Sequence, residues 1–532
     1  MKLSPELHKQ IYYVALMLIA AGLPFWLLLI SIAEIILFAN WLIEGDLKSK
    51  WKRFYTNLPA VGVTSIFILH VIGLLWTNED FSYALKDLRV KLPLILFPVV
   101  MSTSPMLTKR EVLKLLGVFI GAVFLASIVC VLAYFGIFGD AMYDAREMSV
   151  FISHIRFSLL VTMAIFSLFY IFFYVECKTT VRAIMIVVLV WLLIFLFILK
   201  SMSGIIAFFL TLLVMLAYFT VRINNRLIRS FALISLVAIP LFLGLYLAQV
   251  VVDYFTIRQE IVYAELPVTT TGGEKYYHFY GDQQKENGYY VNYYIAPNEL
   301  KEAWSKRSSI PIDSLDLKGQ PLSETVKRFL TSKGLYKDRE GVSQLSDKEV
   351  HAIENGVANV RYMSANKLEV RIHKIIWEFD NYVQGHNPEG NSVTQRLEFW
   401  KTGWYIFESN PIIGVGTGDV PIAFKRAYEE TGSPLSSQYQ LRGHNQYLTI
   451  ALTFGVVGII WFVLALILPF FTAVNSRRYF YIAFFCIAAA SMINEDTLET
   501  QVGATFFAFF MSLFLFSYDC KDPECSSEMT DW

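Results

Sequence analysis

Two short stretches pair arginine with histidine at the lip of an apolar run. "FISHIRFSLL" holds His154 and Arg156, and "LRGHNQYLTI" holds Arg442, His444 and Asn445. A third arginine, Arg396, sits in "SVTQRLEFWKTGWYIFES", shortly before the second run. Ionisable groups at the edge of a membrane span are costly unless they are used or well solvated. A guanidinium keeps its charge and grips phosphate oxygens with a fixed fork of donors. A histidine beside it can serve as a general base or a neutral donor. A single such arginine reads most simply as a snorkelling anchor or a helix-end salt bridge. Three of them, two within two residues of a histidine, point instead to an anion site at the membrane face.

Other residues could extend that site. In "NPIIGVGTGD", Gly414, Gly416 and Gly418 could turn backbone N–H groups toward an anion; the plainer reading is a tight turn between two helices. No Gly-Lys-Ser/Thr follows, so this is no P-loop. "NEDTLETQVGATFF" reads as a capping box, with Asp496 and Glu499 at the positive end of the last apolar helix. The alternative pairs Glu495, Asp496 or Glu499 with an arginine or a sugar hydroxyl. Lys200 in "LKSMSGIIAFF", and Arg89 and Lys91 in "DLRVKLPLILFP", are interfacial anchors or further cations of the pocket. There is no His-Glu-x-x-His, Asp-x-Asp or Gly-x-Ser-x-Gly. The five cysteines, Cys130, Cys177, Cys486, Cys520 and Cys525, avoid the large polar segment. The expectation is therefore no metal and no cofactor.

The elements that must hold these residues are apolar helices. Of 532 residues, 55% are hydrophobic and only 17% charged, against about 25% charged in soluble domains. The zero formal net charge gives no sign of a nucleic-acid partner. Runs near the span length predict an all-α polytopic membrane protein with about twelve transmembrane helices, near 11–23, 25–43, 57–76, 88–102, 112–136, 156–175, 181–199, 203–221, 229–252, 445–472, 478–495 and 501–517. No signal-peptide cleavage site follows "MKLSPELHKQ", so the first span reads as an anchor.

Basic residues favour one set of loops: Lys48 to Arg53, Lys109 and Arg110, Lys178 and Arg182, Arg222 to Arg229, and Arg477 and Arg478. The positive-inside bias makes these cytoplasmic. "TNEDFSYALKD", "GDAMYDAREMS" and "NEDTLET" then face out, and both termini lie inside. The expected domains are helices 1–9 over 1–252, a large, mainly helical outer loop domain over 253–443, helices 10–12 over 444–518, and a short cytoplasmic tail, 519–532. Nearly two hundred residues are too many for a plain loop. Within that segment, Ser346 is a candidate helix cap. Val393, Leu397, Trp400, Trp404 and Phe407 form one stripe of a helix, ended by Asn410-Pro411. Neither a broken midplane helix nor a repeated half is evident.

One large outer loop near the C-terminal end, "TQRLEFWKTGWYIFESNPIIGVGTGDV" and "RGHNQYLTIALTFGVVGII" together resemble the O-antigen ligase and polymerase superfamily. The Arg…Trp…Asn-Pro-x-x-Gly-x-Gly and His-Asn-x-Tyr-Leu…Gly-x-x-Gly pattern covers roughly residues 390–460. "SHIRFSLL" and "NEDTLETQVGATFFAFF" are similar to a branch from Bacteroidetes-type bacteria. The resemblance implies an integral-membrane glycosyltransferase of the GT-C class. It would move a glycan from undecaprenyl pyrophosphate to lipid A–core, at the periplasmic face of the bacterial inner membrane. Relatives implied by the same likeness are polysaccharide polymerases and protein O-oligosaccharyltransferases. By motif, the family's essential arginines and histidine fall on Arg156, Arg396 and His444, with Arg442 an extra candidate. The family's arginine at the start of a middle span is absent from "KSMSG", where Lys200 is the substitute. His154, Asn445, Gly414, Gly416 and Glu499 complete the expected substrate-binding set, and bilayer lipids are further partners. The insertion at 262–390 departs from compact ligases. A transporter of a lipid-linked anion would use the same arginines without chemistry.

Overall fold

The computed structural model describes residues 3–138, 147–258, 261–262, 266–364, 367–472 and 478–518. Most of "GDAMYDAREMS", Arg477 and the tail 519–532 with Cys520 and Cys525 lie outside the described residues. The chain is mostly helical. In order come α1 (Pro5–Gly22), α2 (Leu27–Glu44), α3 (Leu47–Thr56), α4 (Leu58–Ile72), α5 (Phe81–Lys91), α6 (Pro93–Thr103), α7 (Lys109–Tyr134), α8 (His154–Tyr174), α9 (Thr179–Ile198), α10 (Met202–Thr220) and α11 (Arg226–Phe255). Then follow α12 (Pro297–Ser305), α13 (Leu322–Ser332), α14 (Arg339–Ser343), α15 (Asp347–Glu354), α16 (Lys367–Val383), α17 (Ser392–Ser409), α18 (Val420–Glu430), α19 (Gln446–Thr472), α20 (Arg478–Asn494) and α21 (Gln501–Phe516).

Among the described residues, eight helical segments are long and apolar enough to cross a membrane: Leu27–Glu44, Leu58–Trp76, Lys109–Tyr134, His154–Tyr174, Thr179–Ile198, Met202–Thr220, Arg226–Phe255 and Gln446–Phe471. The other apolar runs are helical but shorter or more polar. The run at 88–102 divides at Leu92-Pro93, leaving 11 residues in α6, about 16 Å at 1.5 Å per residue. α20 and α21 have 17 and 16 residues.

By internal contacts the chain forms two compact units. The first comprises the described parts of 1–233, 396–433 and 440–532. Its hub is α21, in which every residue from Gly503 to Phe516 is buried. A helix apolar all round must be enclosed by others. Phe509 meets Phe97 of α6 edge-on at 5.6 Å; Phe510 meets Phe119 of α7 at 4.9 Å; Phe514 stacks on Phe480 of α20 at 5.2 Å. This packing fixes where the chain entering α21 must lie.

The expected stripe of α17 is corrected here. Its buried positions are Thr394, Glu398, Phe399, Thr402, Gly403 and Ile406, whereas Trp404 is 54% exposed and donates its indole N–H to Glu408 at 2.7 Å. Small residues decide the rotation: a Cβ on Gly403 would stand 2.8 Å from Leu448 of α19, so α17 approaches along Thr402 and Gly403, not along its tryptophans.

The second unit comprises the described parts of 234–395 and 434–439. Trp304, Leu322, Val326, Phe329, Leu330 and Ile353 form the core of its small helices. Lys285–Glu286 and Tyr289–Tyr290 pair antiparallel across Asn287 and Gly288, both at positive φ, as a tight hairpin turn requires. Ser346 caps α15 in a capping box with Glu349. Buried Glu286 takes a 2.7 Å ion pair from Arg328, whose guanidinium lies over Trp377.

Candidate active site

The site grows from the turn that joins α20 to α21. Thr500 caps α21, accepting from Gly503 N–H, so the expected capping box of Asp496 and Glu499 does not form. That leaves Glu495, Asp496 and Glu499 to engage other segments of the first unit. Asp496 serves the N-terminus of α19: it accepts the N–H groups of His444 and Asn445, each at 3.1 Å, and the Thr449 hydroxyl at 2.7 Å. A carboxylate suits the positive end of a helix. These bonds hold His444 at φ 45, a left-handed conformation uncommon for residues other than glycine.

Glu499 gathers cations. Lys91 Nζ donates to it at 2.9 Å, Arg442 Nη2 at 3.2 Å and Gln446 Nε2 at 3.2 Å. Lys91 also pairs with Asp87 at 2.6 Å, and Arg442 Nη1 donates to the Tyr83 hydroxyl at 2.6 Å. Tyr83, Asp87 and Lys91 recur every four residues and share one face of α5. Burial alone would raise the Glu499 carboxyl, but the charges of Lys91 and Arg442 overcome it and hold the group well below its ordinary range. Asp87 goes the other way: burial, with Glu499 nearby, outweighs Lys91 and lifts it to about 6. Burial disfavours charge on Arg442, yet Glu499 and the neighbouring acids raise its pKa further.

Glu495 forms the third arm. It pairs with Arg156 Nη2 at 3.3 Å, and its other oxygen is 3.9 Å from His444 Nδ1, within ion-pair range when the imidazole is protonated. Arg156 and Arg442 each keep a buried Nε without a hydrogen-bond partner. Both cations thus neutralise acids while keeping one N–H unpaired.

Of the residues expected from sequence, Arg156, Arg442, His444, Asn445 and Glu499 are brought together by the 495–499 turn. Arg396 lies one turn before Phe399, whose ring is 5.7 Å from that of His444. His154 is the first residue of α8, two positions from Arg156. Lys200 is exposed at positive φ between α9 and α10.

The glycines are a correction. Gly414 N–H donates to Asn410 O and Gly416 N–H to Thr453 O, so neither is open to an anion. Their partner is a break in α19 at Gly455 (φ 66, ψ −165). The sequence shows no obvious break there, because glycine alone does not announce one. Asp87, Tyr83 and Gln446 were not anticipated as site residues; the four-residue spacing along α5 is the signal that marks the first two.

Beside the cluster runs a groove of about 690 Å³, lined along one face of α2 by Ser31, Glu34, Ile35, Phe38, Trp41 and Leu42. Arg89 and Gln501 line it too, each two residues from a cluster member, Lys91 and Glu499. Among the described residues, no group of three or more His, Cys, Asp or Glu is placed to hold a metal ion.

Fold and site define a polytopic helical membrane protein with an arginine–histidine–carboxylate centre at helix ends. Residues 358–463 match the family model described as O-antigen ligase, which supports the O-antigen ligase superfamily for this chain and a function of the ligase and polymerase type. No curated protein matches it. The matched stretch includes Arg396, the glycine turn, Arg442 and His444; Arg156, Lys91 and the 495–499 turn lie outside it.

Proposed function

We propose that the chain is an O-antigen ligase-like glycosyltransferase that moves a glycan from undecaprenyl pyrophosphate to a hydroxyl of lipid A–core, at the periplasmic face of the inner membrane. The observation that carries this reading is the pair of buried, unpartnered Nε–H groups on Arg156 and Arg442, both tied to the one acidic turn that also faces His444. A pyrophosphate leaving group needs donors for its growing negative charge, and the acceptor hydroxyl needs a base.

In this mechanism the arginines and Arg396 hold the donor's phosphates, and the isoprenoid tail follows the groove along α2. The imidazole of His444 takes the acceptor's proton as its oxygen attacks the anomeric carbon. The bond from that carbon to the pyrophosphate oxygen breaks, and its electron pair leaves on undecaprenyl pyrophosphate. Direct displacement inverts the anomeric centre. Glu495 stabilises the imidazolium so formed. Side chains alone neutralise the leaving group, so transfer is independent of divalent metal.

The test is glycan transfer by the purified protein in EDTA. Arg156→Ala, Arg396→Ala and His444→Ala should each lower the rate by about 10²–10³, the scale of losing one transition-state donor. Loss of activity on chelation, restored by magnesium or manganese, refutes the metal-free mechanism. In a deletion strain, glycan retained on the lipid carrier and absent from lipid A marks a ligase. Single repeats on lipid A would mark a polymerase.

A further inference from the structure

The segment from Asn410 to Asp419 reads in sequence as a loop outside the membrane. Its hydrogen bonds place it elsewhere. Val456 N–H donates to Pro411 O at 2.8 Å and Val457 N–H to Ile412 O at 3.4 Å. Val456 is the tenth residue after Gln446 in the candidate span Gln446–Phe471, about 15 Å along the helix. Thr417 N–H donates to Gly73 O, and its hydroxyl to His70 O at 2.7 Å, both inside the candidate span Leu58–Trp76.

We propose that this segment is a re-entrant element dipping into the outer leaflet, with Pro411, Ile412 and Ile413 at its tip in contact with lipid chains. Three features of the segment support it, and none depends on the transferase reading. First, behind the tip, from Gly414 to Gly418, its backbone N–H groups meet the condition for non-helical chain at membrane depth, that they be paired within protein. Every N–H from Gly414 to Gly418 has an acceptor: Asn410 O, Leu452 O, Thr453 O, Gly73 O and the Thr77 hydroxyl. Second, the tip is apolar and open. Ile412 is 69% and Ile413 51% exposed, and no charge occurs from Ser409 to Gly418. Third, the tip continues an existing apolar face, for Val456, Val457, Ile460, Trp461 and Leu464 are exposed down α19.

Gly455 permits the docking. A Cβ there would collide with the backbone of Ile412, and its φ suits glycine. The first two N–H groups after the break are thus taken by the Pro411 and Ile412 carbonyls, where the broken helices of transporters offer such groups to a substrate. The dip also sets the height of the ionic centre. Asp419 accepts the N–H groups of Asn78, Glu79 and Asp80 at 2.9, 2.9 and 3.2 Å, at the start of the helix that carries Tyr83, Asp87 and Lys91.

The test replaces Ile412→p-acetylphenylalanine, and separately Ile413→p-acetylphenylalanine, in the full chain, each coupled to a nitroxide and reconstituted in lipid nanodiscs. Power saturation compares collisions with oxygen against those with a water-soluble nickel chelate. Lys425, exposed and polar, and Leu464, exposed on a span, are the aqueous and lipid references. Oxygen-dominated collisions at 412 or 413, as at Leu464, are expected. Nickel-dominated collisions, as at Lys425, overturn the proposal. If one label prevents folding, the other position decides.

Discussion

Replacing Glu499→Gln removes one charge and almost no volume from the centre of the site. Glu499 is 7% exposed and Lys91 fully buried, so the lost charge is not replaced by water. Lys91 keeps Asp87, but Arg442 keeps only the neutral Tyr83 hydroxyl among its hydrogen bonds. Breaking a buried pair by removing one partner costs about 3–5 kcal/mol, because the remaining charge is left uncompensated. The assay is unfolding free energy by SDS titration in mixed micelles at pH 7. The acid limb gives a second readout. The folded Glu499 carboxyl is held below its ordinary value, so its contribution is present above about 4.5 and lost as pH falls through the lower, folded value. Wild type should retain this contribution from pH 8 to 5 and lose it only in stronger acid; Glu499→Gln should lack that loss. A variant within about 0.5 kcal/mol of wild type, the scale of an exposed pair, would refute a buried ionic centre and the positioning of Arg442 argued from it.

Asp87, lifted to about 6, binds its proton more tightly folded than unfolded, so this stabilisation is present in acid and lost as pH rises through 6; Asp87→Asn should abolish that part of the difference in stability between pH 5 and 7. In the second unit, burial lowers Lys337 to about 7 while its Nζ donates to Tyr290 O and Tyr293 O; stability should rise with pH from 7 toward 10, and Lys337→Met should flatten that slope in unfolding followed by tyrosine fluorescence. Trp404→Ala should shift unfolding by about 1 kcal/mol or less, since the cost of about 3–5 applies to buried rings; a larger loss would mean that the exposed indole is covered.

The apolar helices were legible because burial in lipid writes itself as long uncharged runs, and every run noted in the sequence is essentially helical, the one at 88–102 across two helices. Their capacity to span was less legible. At 88–102 the apolar composition continues through Leu92-Pro93, where the helix ends. The stripe on α17 failed for a related reason: periodicity identifies which residues share a face, but Gly403 and Thr402 decide which face packs. The expectation that no helix is broken failed at Gly455, where the deciding contact is the Ile412 backbone.

The site divides along the same line. Its cations were visible one by one, because the positive-inside bias makes outer arginines conspicuous wherever they occur. Their partners were not, because acids near a helix start have a local explanation that is sufficient by itself. "NEDTLET" satisfies the pattern of a cap, yet Thr500 takes that role and frees three carboxylates. Lys91 and Glu499 are 408 residues apart, and Arg156 and Glu495 are 339 apart. No local periodicity relates such positions; the all-round burial of α21 does, by fixing the turn that enters it beside α5, α8 and the start of α19. The organiser of the centre is therefore the acidic turn, and the arginines are held by it. This ordering makes Glu495→Gln a more discriminating variant than another arginine deletion. It should leave Arg442, Lys91 and Glu499 in place, yet release Arg156 and remove the anion 3.9 Å from His444. The expected result is a fall in kcat in a variant that still folds, as Arg156 and His444 lose the carboxylate they share. An unchanged kcat would detach Glu495 from transfer and leave it as an anchor for Arg156 alone.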